Sequence, residues 1–282
     1  MRPNGTHLPV LDGLASPPGH GLILALRERE HRDRHALFLA EGPRFVHSAV
    51  SSEVPIAGLV TCPQLVASEA TKPLIRSLRQ LGTPTTVLSR ERFLSLSQCA
   101  DAGGIILVLR KRWSPLPGDL PPDALWLGLE SIRTPGNLGT LFRSAVAAGA
   151  DGAVVLDGSS AGVDPFDPCA VRASMGAIFG LRLMRCSHAD LRSQGWRDQL
   201  QIFGATGEAK TDFRTAEYRG PTMIMLGDER KGLTPAQRRS CNHEVSIPMA
   251  HGLDSLNVAM AGTLMLFEAA RQRHPPNLCP VE

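Results

Sequence analysis

The first 110 residues alternate short apolar runs with amphipathic segments. Runs rich in Val, Ile and Leu predict four strands, and segments with one apolar helical face predict helices between them. The predicted strands span residues 37–40, 56–61, 85–88 and 104–110, and the predicted helices span 21–35, 42–51, 63–81 and 90–99. Strands that alternate with helices predict a layered α/β domain of about 90 residues.

A second series of apolar runs begins after a proline-rich segment. Residues 111–123, KRWSPLPGDLPPD, predict an extended linker, because proline disrupts both helices and central strands. Beyond it the pattern predicts strands at 124–130, 152–157, 181–184, 200–206 and 222–226, and helices after Asn137, around 172–177 and at 189–199. We therefore expect a leader at 1–20, a first domain at 21–110, the linker, a second domain at 124–274 and a tail at 275–282.

The second domain ends in an apolar segment, a loop and a long helix. Residues 245–249 are mostly apolar, and residues 255–273 form a run rich in Ala, Leu and Met, with Ser255 as its predicted N-cap. The free N–H groups of that first helical turn suit an anionic ligand. Two further strands end in polar loops, one around Asn137, which can cap the following helix, and one around Glu229. Three loops of similar layout are therefore candidates for one site.

Composition and charge narrow the class of protein. With 43% hydrophobic and 20% charged residues, the chain is typical of a soluble globular protein. The net charge of +3 arises in residues 1–125, which hold 14 Lys and Arg against 11 Asp and Glu. We therefore expect contact with a polyanion to begin in this half of the chain. No apolar run reaches the roughly 18 residues of a membrane span. The N-terminus lacks the apolar region of a signal peptide, and we expect a cytoplasmic protein.

The cysteines and the glycine-rich turns exclude several kinds of site. Six scattered cysteines without metal-ligand spacing predict free thiols and no metal. Gly232 is followed by Leu233, so the turn after the strand 222–226 is not a phosphate-binding P-loop. The chain also lacks the GxGxxG fingerprint of a nicotinamide oxidoreductase and the GxSxG elbow of a hydrolase.

Three ordered motifs resemble the SpoU (TrmH-like) branch of the SPOUT RNA methyltransferases. They are the segment from Thr134-Pro135-Gly136-Asn137 to Arg143, the segment Gly227-Asp228-Glu229-Arg230-Lys231-Gly232-Leu233, and Ile247-Pro248-Met249 followed by Ser255-Leu256-Asn257-Val258. The segment 172–177, RASMGA, is also similar to the family's middle stretch, and the agreement covers residues 124–273. Thr134 and Asp228 stand where the family usually has Asn, and both retain a hydrogen-bonding side chain.

The first domain resembles the L30e-like substrate-binding domain that often precedes this catalytic domain. Its residues 26–46, LREREHRDRHALFLAEGPRFV, carry the resemblance. Arg27, Arg29, Arg32 and Arg34 lie on the predicted helix 21–35, where they either contact RNA phosphates or form a solvated face held by local ion pairs.

The resemblance implies a fold, a cofactor and an assembly. The fold is an α/β domain with a parallel sheet and a deep trefoil knot, which is a rare exception to the usual rules of topology. The cofactor is S-adenosylmethionine, held mainly by backbone groups at Gly227, Ile247, Met249 and Leu256. The assembly is a homodimer with its active site at the subunit interface.

The implied reaction is methyl transfer to a ribose 2'-hydroxyl of RNA. Arg143 stays protonated, so we expect it to clamp a phosphate and stabilise the developing oxyanion. Asn137 and Asn257 would orient the ribose or Arg143, Ser255 would cap the loop and bond the substrate, and Glu229 would fix a cation or a backbone N–H. Domain layout favours ribosomal RNA of the 23S type. Transfer RNA as substrate, methylation of a base, and a non-catalytic RNA-binding role are the alternatives.

Overall fold

The computed structural model describes residues 13–99, 103–157, 164–193, 196–250 and 255–273. Two compact units divide the chain. The first unit runs to Arg112 and also includes Asp164–Gly180, and the second contains Trp113–Val163 and the chain from Leu181 onward. Residues 164–180 were expected in the second domain. They pack with the first unit instead, where Phe166 contacts Phe38 at a ring-centroid distance of 4.9 Å.

The first unit is built on a four-stranded sheet with helices around it. Its elements in chain order are α1 His20–Ala25, α2 Arg29–His35, β1 Leu37–Glu41, α3 Pro43–Ser51, β2 Ile56–Thr61, α4 Thr71–Gln80, β3 Thr85–Val87, α5 Arg90–Leu96 and β4 Ile105–Arg110. The strand order is β1-β4-β2-β3, with β4 antiparallel to both β1 and β2, and β3 parallel to β2. All six residues of β2 are buried, as its unbroken apolar pattern predicts.

The predicted helix 21–35 is two helices, and Arg32 explains the break. Its guanidinium is buried, with 2% of the side chain exposed, and donates hydrogen bonds to the carbonyl oxygens of Leu26 and Arg27 at the end of α1. It also forms an ion pair with Asp164 at 2.5 Å. A buried side chain therefore satisfies the carbonyls of the two residues that follow α1, where a continuous helix would have used backbone N–H groups. The predicted helix 63–81 is likewise shorter, since it is limited to α4.

The second unit is built on a six-stranded parallel sheet. α7 Pro168–Ser174 belongs to the first unit. The elements of the second unit in chain order are β5 Leu125–Leu129, α6 Pro135–Ala147, β6 Gly152–Leu156, β7 Arg182–Cys186, α8 His188–Ser193, α9 Trp196–Gln199, β8 Gln201–Ala205, β9 Thr222–Leu226, α10 Pro235–Ser240, β10 His243–Val245 and α11 Val258–Arg273. The strand order is β10-β8-β9-β5-β6-β7. The α/β class and the parallel sheet are confirmed. The knot stays a prediction, because residues 251–254 lie outside the described residues.

Helices α6 and α11 pack against each other, and α11 also packs on β9. Gly262 allows the close approach, because an added Cβ there would lie 2.5 Å from Leu141 of α6 and 2.6 Å from Leu226 of β9. A hydrogen bond of 2.6 Å joins Ser144 of α6 to Thr263 of α11. The N-terminal ends of these two helices are therefore held side by side.

The proline-rich segment is extended, but it is not a free linker. Leu120 is buried and Leu116 is partly buried in the core of the second unit. Trp196 donates its indole N–H to the carbonyl of Pro117 over 2.8 Å, and Ser114 donates its backbone N–H to Leu183 of β7 over 2.7 Å. Contacts of this kind between distant residues leave no trace in local composition. Residues 113–123 therefore belong to the second unit.

Candidate active site

The loop that follows β9 is a tight turn closed on itself. Asp228 and Gly232 exchange two backbone hydrogen bonds, of 3.0 and 2.9 Å. Gly232 has a φ of +67°, which favours glycine, and a Cβ on Gly227 would collide with the backbone of Gly232. The loop then passes into α10, whose capping box joins Thr234 and Gln237. The Thr-Pro-Ala-Gln sequence signals this helix, which the sequence analysis missed.

A cleft of about 510 Å³ lies beside this loop. The four residues predicted to bind the cofactor all line it, and so do two of the predicted catalytic residues: Gly227, Ile247, Met249, Leu256, Glu229 and Ser255. The segment 206–208 and Arg238 also line the cleft, and they were not among the predicted site residues. Residues 206–208, Thr-Gly-Glu, form a polar loop directly after β8, so they have the same layout as the three loops that were recognised.

Glu229 connects the loop after β9 to the start of α6. Its carboxylate accepts hydrogen bonds from the backbone N–H of Arg133 at 3.2 Å, the backbone N–H of Thr134 at 3.1 Å and the side-chain amide of Asn137 at 3.3 Å. Burial raises the pKa of Glu229, but the hydrogen bonds lower it by more, and the pKa lies below its usual value. Glu229 is therefore a structural anion that binds N–H groups at the helix N-terminus.

Asn137 and Asn257 extend this connection to α11. The side-chain amide of Asn257 donates to Oδ1 of Asn137 over 3.0 Å, and Oδ1 of Asn257 accepts from the backbone N–H groups of Ala259 and Met260. This series of hydrogen bonds begins at the carboxylate of Glu229, which can only accept, and ends at the backbone N–H groups of α11, which can only donate. The orientation of both side-chain amides is therefore determined.

These contacts correct two predicted helix caps. Asn257, and not Ser255, caps the last helix, which begins three residues later than predicted. Ser255 is exposed at the cleft. Asn137 lies within the first turn of α6 rather than at its cap, and its side chain bonds to Glu229. In both cases a partner about 90 to 120 residues away determines the side-chain position.

Asp228 and Arg133 form an ion pair at the edge of the cleft. Oδ1 of Asp228 accepts from the backbone N–H groups of Arg230 and Lys231, and Oδ2 accepts from Nε of Arg133 over 2.6 Å. Burial raises the pKa of Asp228, but these donors lower it by more, so its pKa lies below the usual range. Asp228 stands where the family usually has Asn, and Arg133 balances its negative charge. Arg133 was not among the predicted site residues.

The predicted catalytic arginine and the predicted RNA-binding arginines differ in their surroundings. Arg143 is exposed on α6 and forms no hydrogen bond or ion pair with any residue that the structure describes. Arg29 pairs with Asp33 and Arg34 with Glu30, as a solvated face would. Arg27 is partly buried and donates to the carbonyl oxygen of Leu96. The prediction that Arg32 contacts RNA is wrong, because its guanidinium is buried and occupied by internal partners.

Neither a membrane helix nor a metal-binding group is found in the parts of the chain that the structure describes. Among these residues, no helix has the length and apolar character needed to cross a bilayer. The described residues also contain no cluster of three or more His, Cys, Asp or Glu side chains that would hold a metal ion.

Comparison with protein families and known proteins gives consistent matches. The SpoU rRNA Methylase family model matches residues 124–267, and an MRM3-like substrate binding domain matches residues 22–106. The 23S rRNA (uridine(2479)-2'-O)-methyltransferase of Streptomyces viridochromogenes is 30% identical over 88% of this chain and 87% of its own length. The 23S rRNA (guanosine-2'-O-)-methyltransferase RlmB of Shewanella oneidensis is 31% identical over 73% of this chain and 85% of its own length.

Solved structures also match over most of the chain. The AdoMet-bound rRNA methyltransferase of Sinorhizobium meliloti superposes with a TM-score of 0.80 at 29% identity, covering 93% of this chain and 97% of that one. The SpoU methyltransferase AviRb of Streptomyces viridochromogenes, in complex with AdoMet, also has a TM-score of 0.80 at 29% identity, covering 90% and 97%. Each similarity includes both units of the chain.

Proposed function

The chain belongs to the SpoU rRNA methylase family, and from this premise we propose that it transfers a methyl group from S-adenosylmethionine to a ribose 2'-hydroxyl of 23S-type ribosomal RNA. One observation supports this site as the place of the reaction. The cleft after β9 is lined by the predicted cofactor-binding residues, and Glu229 of the same loop is joined through Asn137 to Asn257. The two reactants would therefore meet at this point.

The residues of the cleft fit S-adenosylmethionine. Ile247, Met249 and Leu256 offer apolar surface for an adenine ring, and the turn from Gly227 to Gly232 brings backbone polar groups to the wall, where a Cβ on Gly227 would clash. When bound, the cofactor supplies an activated methyl group on a sulfonium. The protein itself must hold the two reactants in line and assist the hydroxyl.

Arg143 is the residue we assign to the hydroxyl. A guanidinium is protonated at all physiological pH values, so it acts as a fixed cation rather than a base. It would clamp the phosphate next to the target ribose and stabilise the oxyanion that develops on the 2'-oxygen. Because Arg143 has no partner among the described residues, it needs to break no contact to do so.

Asn137, Asn257, Glu229 and Ser255 complete the proposed site. The hydrogen-bonded chain from Glu229 through Asn137 to Asn257 would hold the nucleotide-facing surface in one arrangement, which lowers the entropy cost of orienting the ribose. Ser255 is exposed at the cleft and would bond the substrate directly.

A homodimer is part of the proposal, and an exposed apolar face supports it. Met260, Leu264 and Phe267 recur at helical spacing along α11 and are 62%, 43% and 48% exposed. Val146 of the adjacent α6 is 42% exposed. Large apolar side chains that share one face of a helix are typical of an interface between chains. Because α6 also carries Arg143, a partner subunit would complete the site beside it.

The first unit would serve as the substrate-binding domain. Its match to an MRM3-like substrate binding domain and the excess of basic residues in residues 1–125 support this role. A ribosomal RNA substrate also supports the cytoplasm as the place of action. The knotted path of the chain is proposed from the family alone.

The reaction is tested with labelled S-adenosylmethionine and purified 23S ribosomal RNA. After digestion to nucleosides, we expect the label in a 2'-O-methyl nucleoside. Label in a base-methylated nucleoside would move the target from the ribose to the base. If transfer RNA were labelled and ribosomal RNA were not, the substrate would be wrong. Cofactor binding without transfer to either RNA would favour a non-catalytic RNA-binding protein.

A further inference from the structure

We propose that Arg133 is a phosphate-binding residue for the RNA substrate, held in position by Asp228. The inference rests on the proposed function, because it names a contact that the same RNA would make. It concerns a pair of residues that the three sequence motifs do not explain, since Arg133 precedes the first motif and Asp228 replaces its usual residue in the second.

The carboxylate of Asp228 fixes one edge of the guanidinium. Asp228 is 7% exposed, and its two oxygens accept three hydrogen bonds: from the N–H groups of Arg230 and Lys231 and from Nε of Arg133. A carboxylate held by two backbone N–H groups cannot rotate freely. Nε of Arg133 bonds to this fixed carboxylate over 2.6 Å, and this contact restrains the Nε edge of the guanidinium.

The opposite edge of the guanidinium is open. The side chain of Arg133 is 60% exposed, and its two terminal NH2 groups form no hydrogen bond with a residue that the structure describes. Two parallel N–H donors match two oxygens of a phosphate, and a fork that is already oriented loses little entropy on binding. An anion with paired oxygens, such as a phosphodiester, is the ligand of matching chemistry.

The backbone of Arg133 lies beside the residues that we assign to the substrate. The backbone N–H of Arg133 donates to Glu229, the carboxylate that also binds the side chain of Asn137. The backbone of Arg133 is therefore attached to the same hydrogen-bonded group that we assign to orienting the target ribose. A phosphate close to the target nucleotide would come within its reach.

The alternative is that Arg133 merely neutralises Asp228, and a double substitution separates the two roles. If neutralisation were the only role, Arg133→Gln would do harm by leaving Asp228 unpaired, and adding Asp228→Asn would restore the wild type. If Arg133 binds phosphate, the double variant keeps the defect of Arg133→Gln, because the donor is still missing. Arg133→Lys keeps the charge but removes the fork, and we expect an intermediate defect.

The experiment measures methyl transfer and binding of a 23S ribosomal RNA transcript, together with cofactor affinity by calorimetry. For Arg133→Gln, alone or with Asp228→Asn, we expect the KM for RNA and the Kd for RNA to rise about tenfold. The dependence of log K on log salt should become shallower by about 0.7–0.9, the value for one phosphate contact. The Kd for S-adenosylmethionine should stay within about twofold. Arg214→Gln is the matched control, because Arg214 is 63% exposed, pairs with Asp212 and lies outside the site.

Two outcomes would overturn the inference. One is a double variant with the RNA affinity of the wild type. The other is a loss of cofactor affinity as large as the loss of RNA affinity. The proposed function fails separately, when the wild type places no methyl group on ribose. In that event the RNA affinities of the same variants still decide whether Arg133 binds phosphate.

Discussion

Replacement of Glu229 by glutamine tests the connection between the loop after β9 and α6. The carboxylate accepts two backbone N–H groups and one side-chain amide, over 3.1 to 3.3 Å. A hydrogen bond to a charged group contributes about 1.5–3 kcal/mol when buried. These bonds are longer than average and the site is partly exposed, and Gln keeps one acceptor oxygen. We therefore expect a loss of about 2 kcal/mol in the free energy of unfolding, or about 4–8 °C in Tm.

Tryptophan fluorescence is a suitable assay, because all three tryptophans, Trp113, Trp126 and Trp196, lie in the second unit. Urea unfolding should shift to a lower midpoint in Glu229→Gln, with an unchanged slope. Glu208→Gln is the matched control, since Glu208 is 78% exposed and its pair with Arg238 contributes little to stability. A variant as stable as this control would refute the structural role of Glu229.

The difference in the free energy of unfolding between wild type and Glu229→Gln should depend on pH. The lowered pKa of Glu229 sets the sign of this dependence. A carboxyl group whose pKa is lower in the folded state stabilises the fold above the unfolded pKa. That stability is lost as the pH falls through the folded value. The gap between wild type and Glu229→Gln should therefore be constant above the ordinary glutamate pKa of 4.5 and should narrow below it. A gap that widened in acid would contradict the assigned direction.

Three further changes test other parts of the account. Gly227→Ala should abolish cofactor binding in calorimetry, because the added Cβ collides with Gly232; retained affinity would show that the turn yields. Arg32→Gln should lower the free energy of unfolding of the first unit by about 3 kcal/mol by leaving buried acceptors and carboxylates unpaired, while Arg34→Gln at an exposed pair changes it by under about 1 kcal/mol. Leu264→Glu should convert the proposed dimer into a monomer in sedimentation analysis, and an unchanged mass would place the interface elsewhere.

The central strands of both sheets were predictable from the sequence because they are buried on both faces. The predicted bounds of β2 and β9 agree with the structure, since Ile56–Thr61 and Thr222–Leu226 are uninterrupted apolar runs. The three loops of the site were also found, because each follows a strand and contains polar residues. Strand order and the carboxyl ends of parallel strands then bring these loops together.

Long-range partners account for most of the errors. The sequence around Arg32 resembles an exposed helix, and its charge pattern does not reveal that Asp164, 132 residues away, draws the side chain inward. Ser and Asn are both common N-cap residues, so the sequence alone does not decide between Ser255 and Asn257. In the structure Asn257 caps the helix, and its side chain also contacts Asn137. The strand-and-loop layout therefore indicated the three loops and the family resemblance supplied the candidate residues, but neither revealed the long-range contacts.

The measurement that tests the central claim most directly uses the chemistry of the ribose itself. A 2'-O-methyl group removes the hydroxyl that attacks the adjacent phosphodiester in alkali, so a methylated position survives as a dinucleotide. We would incubate the protein with 23S ribosomal RNA and S-adenosylmethionine that carries a labelled methyl group, and then hydrolyse the RNA in alkali. The account predicts label in alkali-stable dinucleotides with the wild type. With Arg143→Ala it predicts at least a hundredfold loss of label at an unchanged cofactor Kd, as expected when a charge-stabilising donor is removed. Label in mononucleotides, or full transfer by Arg143→Ala, would contradict it.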